Sequence, residues 1–123
     1  MNVIPCTLTK DGDRLFADTS LFRVPVPDRL ARLVEGKLME AILGIRPEDI
    51  EVVKKGAEGS FICKTFVVEP LGSESILNIK LDDMLIKVKE RKSLSLGPGE
   101  EVSLRFRPDA LRIFDSASGK VLG

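Results

Sequence analysis

Apolar residues recur at every second position along most of this 123-residue chain, and few windows hold them at helical spacing for three turns. Period two marks strands that bury one face, so the chain reads as mostly β. Ile4, Cys6 and Leu8 share a face ahead of Asp11-Gly12-Asp13, where glycine supplies the backbone freedom of a tight hairpin into Arg14 to Ala17. Leu21 to Val26 carries Pro25, with Pro27 just beyond it. Prolines cannot donate to a ladder, which places that piece at a sheet edge. One short helix is expected from Arg29 to Glu35, with Asp28 as its cap, Leu30, Leu33 and Val34 on one stripe, and Gly36 as its stop.

Alternation resumes at Leu38. Met39, Ala41, Leu43 and Ile45 point one way until Arg46-Pro47-Glu48-Asp49 ends the strand, because proline fixes φ and lacks an amide proton. Gly56 and Gly59 bracket a loop before a long strand from Ser60 to Val68, and Glu69-Pro70-Leu71-Gly72-Ser73 turns it into Ser75 to Leu81, with Leu77, Ile79 and Leu81 inward. Asp82-Asp83 leads to Met84, Ile86 and Val88, and Gly97-Pro98-Gly99-Glu100 opens Val102, Leu104 and Phe106. Leu111 to Phe114 forms a final rung, and Asp115 to Gly119 turns into Lys120-Val121-Leu122. About eight short strands with one helix between them point to an OB-like β-barrel. A weak seam near Gly56 to Gly59 separates two halves, but neither is large enough for its own core, so residues 1–123 are expected to form one domain.

Composition removes whole classes of function. With 19 basic and 19 acidic residues the chain is neutral, so it lacks the uniform positive field that holds nucleic acid or an anionic membrane. It has no His, which removes the usual neutral-pH proton shuttle and the commonest metal ligand. Cys6 and Cys63 lie far apart with no CxxC partner and are expected to be buried free thiols in a reducing compartment. No apolar run approaches the roughly 18 residues of a membrane span, and the opening lacks the basic and apolar regions of a signal peptide, so a soluble, unsecreted chain is expected. Gln is absent and Asn occurs only at positions 2 and 78, while 31% of residues are charged, a bias shared with proteins of heat-loving organisms.

Four stretches stand out by their residues, all at strand ends: Gly44 to Ile50, Glu69 to Glu74, Gly97 to Glu100, and Leu111 to Asp115 with Gly119. Gly72 and Gly99 fit turns that demand positive φ or close backbone approach. Glu48 and Asp49 are adjacent after a proline, where carboxylates diverge into solvent or cap the next turn, so they make a poor acid/base pair. Arg105, Arg107 and Arg112 can line a basic face. Stacking partners are scarce, however, with six Phe in the chain and Phe61, Phe66 and Phe106 in core-like strands. Lys89 to Lys92 is a short charge run of the kind that solvates a loop. No segment matches GxxxxGK[ST], so no loop cradles nucleotide phosphates, and ATP hydrolysis by this chain alone is not expected.

Taken in order, GIRPEDI, VVEPLGSE, GPGEEVSLRF and LRIFDSASGKVL resemble the C-terminal regulatory region of the ATPase subunit of ABC importers for maltose and other carbohydrates, which holds the TOBE (transport-associated OB) domain. The opening Met1-Asn2-Val3-Ile4-Pro5 is similar to the Met-Asn-Phe segment with which that family leaves its nucleotide-binding domain. The resemblance implies a fragment whose catalytic half lies upstream, Met1 being an internal residue or an artificial start. It implies no cofactor here, with ATP and Mg in the full-length subunit. The implied partners are a second copy of the subunit, membrane permease subunits and a regulatory protein, with no nucleic acid. It places the module in the cytoplasm against the inner face of the membrane. Gly44, Arg46, Pro47 and Glu48 match the GIRPE signature, Glu69, Gly72 and Glu74 match E-x-x-G-x-E, and Phe114, Asp115 and Gly119 match the closing F-D-x-x-x-G. The resemblance makes these ten shape-determining residues near domain contacts, with no catalyst among them. The alternative is a small-ligand module, since related OB-like domains capture oxyanions such as molybdate; turn amides with a nearby Arg or Lys can form an anion nest. The Ser-x-Arg-Asn motif of those binders is missing here.

Overall fold

The computed structural model describes residues 1–19, 22–28, 30, 38–81, 83–90 and 97–122. Ten strands are present among them, and they divide into two compact units. The expected helix at Arg29 to Glu35 lies outside the described residues apart from Leu30, which is buried.

The first unit comprises Met1–Ile45 and Arg107–Gly123. It holds β1 (Asn2–Asp11), β2 (Arg14–Asp18), β3 (Arg23–Val26), β4 (Leu38–Ile45) and, returning from far along the chain, β10 (Arg112–Asp115). Their order is β10-β4-β1-β2-β3, and each neighbouring pair is antiparallel. The β1–β2 turn uses Gly12 at φ 64°, as the sequence requires. Pro25 sits on the edge strand β3, where its missing donor costs no ladder bond. Alternation decides the core: Ile4, Leu43 and Ile113 are opposite one another across β1, β4 and β10, and all three are buried.

The second unit is Arg46–Phe106. Pro47 opens a 3-10 turn over Pro47–Asp49, closed by Asp49 N–H donating to Arg46 O at 3.0 Å. The strands β5 (Ile50–Val53), β6 (Phe61–Pro70), β7 (Ser75–Leu81), β8 (Met84–Glu90) and β9 (Glu101–Phe106) follow, in spatial order β5-β9-β6-β7-β8. Ile50, Leu77, Ile79, Ile86, Val88, Leu104 and Phe106 are buried, and Phe61 meets Phe106 edge-on with centroids 5.3 Å apart.

Three sequence expectations change. The boundary between compact units falls at 45/46 and 106/107, not at the seam expected near Gly56 to Gly59. β5 was not anticipated: it is a strand because Ile50 pairs with Phe106 and Val52 with Leu104, partners more than fifty positions away. Phe66 lies on a strand but not in a core, because the β6–β7 register slips between Thr65 and Val67. The extra residue of such a bulge turns the following side chains out of phase.

Candidate functional site

The ten signature residues fall into separate groups. In the first unit, Gly44 sits near the end of β4, buried and with φ negative. A Cβ there would come within 2.9 Å of Met1 Sδ and 3.0 Å of Phe114 Cε2, so glycine at this position lets two side chains cross the strand. Phe114 also bridges to Val121. Asp115 closes the next turn: its Oδ2 accepts from Ser118 N–H at 2.9 Å and Ser118 Oγ at 2.7 Å, while Gly119, at φ 73°, donates to Asp115 O. The serine hydroxyl and amide hold the Asp115 carboxyl below the usual carboxylate range.

In the second unit, Arg46 and Glu48 face solvent around the Pro47 turn, which packs against β8. The β6–β7 hairpin gathers the middle signature. Leu71 N–H donates to Glu74 O at 2.7 Å across a turn whose Gly72 sits at φ 80°. Glu69 Oε1 accepts from the buried Asn78 Nδ2 at 2.8 Å, and Glu74 pairs with Lys89 at 3.3 Å. The hairpin thus brings Glu69, Gly72 and Glu74 together. A Cβ on Gly72 would meet nothing, so only its left-handed backbone demands glycine. Gly72→Val should therefore cost about 1–2 kcal/mol, and Lys89→Ala, removing a part-exposed ion pair, less than about 1 kcal/mol. Equal shifts in melting temperature for the two variants would refute the strained-turn reading.

A cleft of about 380 Å³ opens in the first unit, lined by Pro5, Cys6, Thr7, Asp18, Thr19, Glu40, Ala41 and Ser116. None of the ten signature residues lines it. Asp18 is already engaged: Arg23 Nε and Nη2 donate to its carboxylate at 2.6 and 3.2 Å. The Arg23 bond, with help from Thr9, holds the carboxyl below its ordinary value. That contribution to stability is present above the ordinary carboxylate range and fades as pH falls through the lowered one. Burial, and then Asp18, push the thiol of Cys6, which lines the cleft, up to about 11, which disfavours its thiolate. Sequence spacing did not single out this cleft, since polar residues on the outward phase of β1, β2 and β4 look like any solvated face.

Arg105 is ion-paired with Glu51 at 3.4 Å in the second unit, and Arg107 and Arg112 belong to the first. Among the described residues no three metal-ligating side chains cluster, and no helix is long and apolar enough to cross a membrane. The sequence also holds no phosphate-binding loop of the GxxxxGK[ST] type.

What the turns do match is a family. A model of the TOBE domain matches residues 43–114, more than half the chain, and a model of the MalK OB fold domain matches residues 1–50. The chain belongs to the TOBE domain family. Its mostly-β, OB-like architecture agrees with both matches. Among its relatives is the trehalose/maltose import ATP-binding protein MalK of Thermococcus litoralis, 31% identical over 130 residues that cover 99% of this chain and 34% of the relative. The sulfoquinovosyl glycerol transport ATP-binding protein SmoE of Agrobacterium fabrum is 30% identical over 110 residues, covering 88% of this chain and 30% of the relative. This TOBE chain thus spans about a third of the length of the curated relatives it matches. In fold it is similar to the molybdate-bound crystal structure of the cytoplasmic molybdate-binding protein ModG, with TM-score 0.63, 15% identity, and 91% of this chain and 94% of that one covered. At that identity the likeness concerns the fold alone.

Proposed function

We propose that this chain is the regulatory, dimer-supporting module of the ATP-binding subunit of a carbohydrate ABC importer. The observation that carries the reading is the match of 99% of the chain to one third of an import ATP-binding protein. On this reading ATP and Mg are held by the remaining two thirds of the subunit, and the module hydrolyses nothing itself. Its partners are a second copy of the subunit and, through the whole subunit, the membrane permease, at the cytoplasmic face of the membrane; a regulatory protein is a further partner. The module acts by making different contacts in the two states of the transporter, a coupling of the order of 1–3 kcal/mol.

The geometry supports a contact role for the signature turns. Two of the three are braced by side-chain hydrogen bonds, the last at Asp115–Ser118 and the β6–β7 hairpin at Glu69–Asn78, so these present a fixed backbone shape at low ordering cost. The test is a chimera in which this chain replaces the matching third of the Thermococcus litoralis protein. The hybrid is expected to sediment as a dimer and retain ATPase activity. A monomeric, inactive hybrid whose two parts both remain folded would overturn the proposal. Saturable micromolar binding of molybdate or sulfate to the isolated chain would favour ligand capture instead.

A further inference from the structure

On the outward face of the first unit's sheet, apolar residues surround a bare glycine. The register sets Pro5 opposite Ile42 and Ile42 opposite Phe114, and Phe114 bridges to Val121, so four apolar residues form one row across the sheet. In the next row Val3 lies opposite Gly44, and Gly44 opposite Arg112 on the edge strand β10. Ladder partners share a face, as do positions two apart on one strand, so both rows lie on the same side. A Cβ on Gly44 would stand 2.9 Å from Met1 Sδ and 3.0 Å from Phe114 Cε2, so these two side chains close over the glycine and join the rows. Met1 is 60% exposed, Val3 57% and Val121 62%, and Pro5 is exposed as well. The register places Arg112 at the corner of this set, leaving the apolar residues in unbroken contact order. Such a patch marks an interaction site.

The charges at its two ends decide what it fits. Beyond the Ile42 row the face turns polar: Glu40 follows Ile42 outward on β4, with Thr7 opposite Glu40 and Asp18 opposite Thr7. These three line the cleft of about 380 Å³ together with Ser116, and its lining holds no basic side chain. Asp18 is neutralised by Arg23. Among the described residues Glu40 has no ion-pair partner, and neither has the exposed Arg112 at the opposite end. A face with unlike charges at opposite ends is complementary to its own image. A two-fold axis running across the strands along the Phe114–Ile42–Pro5 row lays that row on itself and brings each copy's Gly44 row over the other's Glu40 row. Arg112 of each copy then stands over the Ser116 side of the other's cleft, one strand spacing of about 4.8 Å from Glu40. A single arginine falls short of the roughly 4–8 clustered cations that hold an anionic membrane surface.

We infer that the outward face of β10, β4 and β1 pairs with the same face of a second copy, apolar rows in contact and Arg112 of each copy seated at the acidic cleft of the other. The inference names the surface behind the dimer-supporting role proposed above and rests on that reading. It also gives Gly44 and Phe114 a shared task, because a side chain at Gly44 would displace Met1 and Phe114 from the contact.

Sedimentation of the 123-residue chain should show a concentration-dependent equilibrium of monomer and dimer. Arg112→Glu and Glu40→Arg should each raise the dimer dissociation constant at least about tenfold, because each sets like charges against one another across the axis. Mixed in equal amounts, the two variants should pair again as a heterodimer, a result that misfolding cannot produce. Val3→Ser should weaken the dimer and leave the melting temperature of dilute chain unchanged, because Val3 is open in the single copy. A chain that stays monomeric at every concentration, single variants that pair as well as the native chain, or a mixture that fails to associate would overturn the inference. So would a monomeric chain that sediments with phosphatidylserine vesicles, or one whose charge variants alter only the ATPase activity of the Thermococcus litoralis chimera, which would assign the face to the remainder of the subunit. The underlying reading fails separately. A chimera that dimerises equally with and without Arg112→Glu removes this face and keeps the dimer-supporting role, whereas a monomeric chimera removes the role while the chain's own sedimentation still decides the face.

Discussion

Replacing Leu104 by alanine should destabilise the second unit by about 2–5 kcal/mol, seen as a lower urea midpoint at unchanged slope. Leu104 is fully buried, at 0% exposure, on the strand that lies between β5 and β6. It faces Val52 on one side and Phe61 on the other, with Val102 and Phe106 along its own strand. Because β9 is hydrogen-bonded on both edges, its backbone cannot sink into the void that truncation leaves, and the Phe61–Phe106 edge contact beside it fixes the neighbouring rings. A void that cannot collapse puts the cost toward the upper part of the range. The same substitution at Leu71, 57% exposed in the β6–β7 turn, removes little buried area and should change stability by less than about 0.5 kcal/mol. If the two variants unfold at the same urea concentration, Leu104 is not the core residue described here.

The contrast between those two leucines was legible in the sequence, because period two separates buried from open positions wherever a strand is long enough to show it. Ile4, Cys6 and Leu8 on β1 and Val102, Leu104 and Phe106 on β9 are buried as their alternation required. The positive φ of Gly12, Gly72, Gly99 and Gly119 likewise follows from turns between such runs. Non-local information was not legible. β5 is only four residues long, and its strand character comes from pairing with β9, which no local pattern encodes. The division into two units has the same origin: β10 returns to β4 only after the whole 46–106 excursion, so the unit boundaries appear where a long-range ladder closes and not at the glycine-rich loop. Phe66 shows a third limit. A single-residue bulge shifts a strand's phase without changing composition, and it left a ring read as core half exposed. The signature turns were readable as turns, and the structure adds the side chains that pin them, Asn78 on Glu69 and Ser118 on Asp115.

The two thiols should make the chain lose stability above pH 9 and leave it inert to thiol reagents below that. From an ordinary value of 9.0, burial pushes Cys63 up to about 12, and burial with Asp18 pushes Cys6 up to about 11. Cys63 Sγ lies 3.7 Å from Val102 O, placed to donate its proton into the β6–β9 ladder. At pH 8 the folded thiolate populations are then about a hundredfold and a thousandfold below those of the unfolded chain. Dithionitrobenzoate should therefore react at least about 100 times more slowly with native chain than with chain in urea. The sign of the stability effect follows from proton counting. Above pH 9 the unfolded chain releases thiol protons that the folded chain keeps, so the stability present below that pH declines as pH rises toward the folded values, by up to about 1.4 kcal/mol per pH unit for each thiol. The chain contains no Tyr and no His, so neither phenol nor imidazole ionisation contributes to that alkaline limb. Urea unfolding between pH 8 and 11 should show the decline in the native sequence and a flatter profile in the Cys6→Ala/Cys63→Ala variant. An identical alkaline limb in both would mean that the thiols are not held protonated by burial.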